Sequence, residues 1–151
     1  MMKDLKEQLY KMCIDYVQAK INEAKQGIDD AQYAAAEESK SSAGDKYETA
    51  REMMQQETDR YQLQLNEANK LMVALSKINY NSGYSSADAG SLVTTNNGNF
   101  FIAISAGSFT VGGRAFFVVS PQSPIGIKLA GKKAGDAFEL NGRAYQIQQV
   151  G

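Results

Sequence analysis

Asp45 and Glu48 are two carboxylates three residues apart, set where a long helical pattern breaks at residues 41–48. On a helix that spacing brings both side chains to one end of the same turn. Such a pair can supply part of the shell of Mg²⁺, which commonly takes one or two protein carboxylates and fills its other positions with water or phosphate oxygens. Two acids leave an octahedral site incomplete, so the missing ligands would have to come from another protein. A metal site completed in that way can activate water for phosphodiester cleavage. The same spacing is also a capping box, with Asp45 as N-cap and Glu48 at the third helical position. Both acids complement the positive end of a helix as well. The two uses are compatible, because a cap bond engages one oxygen and leaves lone pairs free.

The chain contains no histidine and a single cysteine, Cys13. The usual general base and any Ser–His or Cys–His nucleophile pair are thereby excluded. Unaided catalysis is left with carboxylate or lysine chemistry. Cys13 sits beside a helical seam and reads as a buried small hydrophobe, not a reactive thiol. No internal disulfide is possible, which suits a reducing cytoplasm. Residues 1–11 are charged and amphipathic without the apolar stretch of a signal peptide, and no run is apolar enough to span a bilayer. The expectation is a soluble, cytoplasmic, monomeric protein with no membrane partner.

The elements that position the acids are two long helices. Tyr10, Ile14, Val17, Ile21, Ala24, Ile28, Ala31 and Ala35 recur at alternating spacings of four and three, a heptad seam. A second seam runs through Tyr47, Met54, Tyr61, Leu65, Ala68, Met72 and Leu75. Helices over 3–38 and 46–77 are predicted, folded back as an antiparallel two-helix coiled coil with the acids at its tip. Some thirty residues make a rod of about 45 Å, narrowing where the first seam shrinks to alanine. A rod of that length exceeds what stability requires, so it serves to reach or to brace something.

Composition changes at 79–90, where Asn, Ser, Gly, Ala and Asp displace the helical pattern. Residues 1–77 carry 11 basic and 14 acidic side chains, a net of −3, against 5 and 3 in residues 78–151, a net of +2. With a formal net charge of −1 no strong field recruits nucleic acid in bulk, and the acidic first half does not suit a duplex along its whole length, which leaves local basic stripes. Two domains are expected, 1–78 and 79–151. The second reads as strands at 91–95, 100–104, 108–110, 115–120, 137–140 and 144–150, with a short helix at 125–129. Asn96-Asn97-Gly98, Gly112-Gly113 and Asn141-Gly142 are its hairpin turns. The fold class is α+β.

Two segments together resemble the Gre transcript cleavage factors of bacterial RNA polymerase. Gly44-Asp45-x-x-Glu48-x-Ala50 is similar to the family's tip motif. Ser123-Pro124-Ile125-Gly126, followed by Leu129-x-Gly131-Lys132-Lys133-x-Gly135-Asp136, is similar to its second-module segment. The chain departs from the family at Thr49, at Arg51-Glu52 and at Gln122. The resemblance implies a coiled coil followed by an FKBP-like domain. It also implies a non-enzymatic accessory factor that binds polymerase through its secondary channel and stimulates cleavage of backtracked RNA. Asp45 and Glu48 would then share a Mg²⁺ with the polymerase near the nascent RNA 3′ end, and the chain would have no cofactor of its own. Ser123, Pro124 and Ile125 become docking residues, and Lys128, Lys132 and Lys133 form a local basic patch that is either a solvated helix face or a polymerase or RNA contact. A non-cleaving secondary-channel regulator and a coiled-coil scaffold are the alternatives. Prolyl isomerase activity does not follow from an FKBP-like fold, and no aromatic-lined pocket is legible in the strands.

Overall fold

A computed structural model describes residues 2–41 and 45–151, with side chains described for 2–37 and 48–151. Two long helices, α1 (Met2–Ser41) and α2 (Asp45–Ser76), precede six strands and one short helix. Proline is absent from both long helices, so nothing interrupts their hydrogen-bond ladders. By packing, the chain divides into two compact units. Tyr16–Met72 forms one, and Met1–Asp15 with Val73–Gly151 forms the other. The helical pattern ends near the 78/79 boundary read from the sequence, but packing groups the roots of both helices with the strands.

In the helical unit, Val17, Ile21, Ala24, Ala31 and Ala68 are buried. Gly27 lies against the ring of Tyr61. Those two residues stand at nearly equal distances along the chain from the α1–α2 junction, as an antiparallel pair requires. The buried line keeps the four-and-three spacing of the sequence. It also passes through Thr58, a polar residue whose hydroxyl donates back to the Met54 carbonyl at 2.9 Å. Among the described residues no helix is long and apolar enough to cross a membrane.

The other unit is built on β1 (Leu92–Thr95), β2 (Gly98–Ile102), β3 (Gly107–Val111), β4 (Arg114–Val119), β5 (Ala137–Leu140) and β6 (Arg143–Val150). Their order across the sheet is β3-β4-β2-β1-β6-β5. Helix α3 (Pro124–Leu129) joins β4 to β5. Hairpins close where glycine or asparagine accepts positive φ: Gly112 and Gly113 (59° and 79°), and Asn141 and Gly142 (53° and 77°). One pairing is parallel. Phe100, Phe101 and Ile102 of β2 pair with Phe117, Val118 and Val119 of β4, because β3 lies outside β4 and turns the chain back. The sheet is therefore mixed, and the expected α+β class with its helical first part is observed. Strand β2 ends at Ile102, two residues before the expected limit, and the chain bends through the buried Ala103 and Ile104.

Alternation puts Val93, Phe100, Ile102 and Ile147 on one sheet face, where they pack with Leu129 of α3 and Ala87. Leu92, Phe101, Phe116 and Val118 occupy the opposite face and are no more than 2% exposed. The root of α1 reaches that face, where Met2 and Leu5 line a recess with Leu92, Phe116 and Arg114. Cys13 is fully buried, and burial pushes its thiol pKa up to about 12.

Candidate functional site

Helix α2 starts at Asp45, one residue earlier than expected. The Asp45 side chain lies outside the described residues, and so does the junction that would hold a cap. Glu48 projects from the first turn and is solvent-exposed. Thr49, Arg51, Glu52 and Met53 follow on the exposed surface. Farther along, Arg60 pairs with Glu57 at 3.1 Å and lies over the Tyr61 ring at 5.0 Å. Those groups are engaged with each other, and Glu48 is the described acid nearest the start of α2.

The second candidate region is built around a cap. Ser123 has extended backbone (φ −67°, ψ 158°), and its hydroxyl accepts from the Gly126 N–H at 3.1 Å. The same hydroxyl donates to the Ser120 carbonyl at 2.6 Å. Pro124 takes the first helical position, where a missing N–H costs nothing. Gly126 is required by sterics: a Cβ there would stand 2.1 Å from the Ser120 oxygen. Ile125 is half-buried against the core, and Leu129 is fully buried.

The rest of that motif is a tied loop. Gly131 (φ 77°) donates to the Ala87 carbonyl at 2.9 Å, and Ala87 N–H donates to the Lys132 carbonyl at 2.7 Å. Asp136 accepts from the Lys133 N–H at 2.8 Å, while Gly135 and Asp136 exchange bonds with Ile147. Lys132 is half-buried with its Nζ 5.8 Å from the Phe138 ring centre, whereas the Lys133 side chain is exposed. Much of the motif is thus explained by capping and turn closure. What it leaves at the surface is Pro124, Lys128, Lys133 and one residue the sequence reading did not single out, Ile127.

Ile127 is 63% exposed. Its signal was present in the sequence: Ile125 and Leu129 are four apart and share the core face of a short helix, so Ile127 must point away. An isoleucine there adds nothing to the core. A row of rings, Phe117, Phe100, Tyr145 and Phe138, crosses the same sheet face with centroid separations of 5.6, 6.1 and 4.9 Å. Phe138 and Tyr145 share the β5–β6 hairpin, but period-two alternation alone did not reveal the row, because Phe117, Phe100 and Tyr145 lie on β4, β2 and β6, which are not consecutive in sequence. Phe100 is 6% exposed and belongs to the core, Phe138 and Tyr145 are half-buried against it, and Phe117 is exposed at the end of the row.

No protein-family model matches the chain, and no curated protein matches it.

Proposed function

We propose that the chain is a Gre-like accessory factor that enters the secondary channel of bacterial RNA polymerase and stimulates cleavage of backtracked RNA. The observation that carries this reading is an exposed carboxylate, Glu48, on the first turn of a 32-residue helix whose first residue is Asp45. At 1.5 Å per residue that helix runs about 48 Å. The tip and second-module motifs add the family resemblance.

The donor set fits Mg²⁺: two carboxylates one helical turn apart are hard oxygen ligands, and Glu48 is open to solvent. Asp45 and Glu48 would hold the ion jointly with polymerase and RNA oxygens, and a bound Mg²⁺ there supplies charge neutralisation and a more acidic water. The chain's own contribution is to present negative charge at the start of α2. With no histidine in the chain, proton transfer is left to the partner's groups or to water.

Docking is assigned to the α3 surface. Ser123 acts through the cap, because both described hydrogen bonds of its hydroxyl are internal. That cap orients Pro124 and Ile127, which supply apolar contact, while Lys128 and Lys133 supply charge. Lys132, turned over Phe138, contributes less. The test is RNA cleavage in a stalled, backtracked polymerase complex with Mg²⁺. Wild type should accelerate it, and Asp45→Ala/Glu48→Ala should bind without accelerating it. Binding without cleavage by the wild type would instead identify a channel-binding regulator.

A further inference from the structure

The six-stranded sheet has two edge strands, β3 and β5. They are not alike. β5 has four residues and carries Glu139, a charge on the edge itself. Short, charged edges discourage pairing with another strand. β3, Gly107-Ser108-Phe109-Thr110-Val111, has five residues with no charge and no proline. Such an edge keeps its capacity to be joined by another strand.

The groups it offers follow from its hairpin. Gly112 and Gly113 both have positive φ, at 59° and 79°. That two-residue turn closes Val111 and Arg114 as a hydrogen-bonded pair. Bonded and non-bonded pairs alternate along an antiparallel ladder, so Phe109, opposite Phe116, also bonds inward to β4. Ser108 and Thr110 fall between and turn their N–H and C=O groups outward. Both residues are exposed, and no described residue meets those backbone groups with a hydrogen bond. The flanks are open too. Nothing stands within 4 Å of the position a Cβ would take at Gly107, Gly112 or Gly113.

This edge is complementary to itself. When a second β3 lies antiparallel about Phe109, Ser108 faces the other copy's Thr110, and Thr110 faces its Ser108. Both are outward-bonding positions, so each pair exchanges two N–H···O bonds. Phe109 meets Phe109 at the non-hydrogen-bonded position, where side chains lie closest. Gly107, with its open flank, faces Val111, small against large. No like charges meet across the axis.

We propose that β3 is a self-association edge, joining two copies of this chain through an antiparallel β3–β3 ladder. The occupant is a second copy because the hydroxyl pairs, the aromatic pair and the glycine–valine pairs all arise from β3 alone. Five residues a side make a small interface, so the dimer is weak and depends on concentration. It uses none of the tip or α3 residues and does not rest on the polymerase reading.

The experiment is sedimentation velocity with amide hydrogen exchange on the full chain, as its concentration rises to about 1 mM. A dimer should grow in. Exchange at Ser108 and Thr110 should slow severalfold, while Phe109, already bonded to β4 in the monomer, changes less. Ser108→Lys/Thr110→Lys and Ser108→Glu/Thr110→Glu alter exposed positions only. Each variant alone should stay monomeric, because like charges would face each other across the axis. Mixed in equal amounts they should form a heterodimer, each introduced lysine opposite a glutamate. Wild type that stays monomeric up to about 1 mM would overturn the proposal. So would a lysine variant that dimerises like wild type, a mixture that stays monomeric, or protection of Ser108 and Thr110 only on adding a different protein.

Discussion

The Tyr61 ring covers Gly27 so closely that a Cβ on Gly27 would stand 2.5 Å from its Cδ1 and Cε1. This contact sets the approach of α1 to α2 in the helical unit. Glycine inside a helix ordinarily costs about 1 kcal/mol relative to alanine, so its presence here is explained by the ring. Gly27→Ala is expected to destabilise the hairpin by about 1–2 kcal/mol, overpacking outweighing the helix-propensity gain. In a Tyr61→Ala background the same change should become neutral or stabilising. A double-mutant cycle by thermal or urea unfolding reads the coupling directly.

The cap of α3 makes a second prediction. Ser123→Ala removes a hydroxyl that accepts from Gly126 and donates to Ser120, and should cost about 1 kcal/mol. Gly126→Ala drives a methyl group into the Ser120 carbonyl and should cost more, about 2–3 kcal/mol. Urea denaturation of both variants ranks them. Equal stability of Gly126→Ala and wild type would contradict the packing described.

Cys13 carries the third. Its thiol is buried, and burial pushes its pKa from the ordinary 9.0 up to about 12. The folded value is raised, so the thiol's contribution is complete below pH 9 and is lost as pH rises from 9 towards 12. Wild type should be more stable than Cys13→Ala at pH 8, and that margin should narrow by about 1 kcal/mol at pH 10. Iodoacetamide should label the native thiol slowly and the urea-unfolded thiol quickly.

Ile127 tests the docking surface without touching the core. At 63% exposure, Ile127→Glu should change the unfolding midpoint little, since exposed substitutions usually stay within about 0.5 kcal/mol. Polymerase binding should nevertheless weaken at least tenfold in a pull-down or titration. Undiminished binding would remove α3 from the interface.

Regular features were legible because they rest on local chemistry. The heptad spacing placed both long helices, and paired positive-φ residues at Asn141-Gly142 and Gly112-Gly113 placed two hairpins. The parallel pairing of β2 with β4 was not legible, since it joins strands separated by β3. Neither was the internal use of the Ser123 hydroxyl, which depends on where the Ser120 carbonyl lies. The burial of Lys6 could have been noticed: it stands three residues before Leu9 and seven before Cys13, on the buried stripe of α1. Asp45 and Glu48 were singled out by their spacing alone; α2 starts at Asp45, and Glu48 is exposed. Their work cannot be read from one chain, because the other ligands of the proposed site belong to a partner.

The most direct measurement is the rate of RNA cleavage in a backtracked bacterial polymerase complex with saturating factor and Mg²⁺. Wild type should raise that rate at least a hundredfold, a barrier reduction of about 2.7 kcal/mol. Asp45→Ala/Glu48→Ala should return it to the factor-free level while still competing with wild type for polymerase. Cleavage by wild type no faster than without factor, or full stimulation by the double variant, would contradict the role assigned to the tip carboxylates.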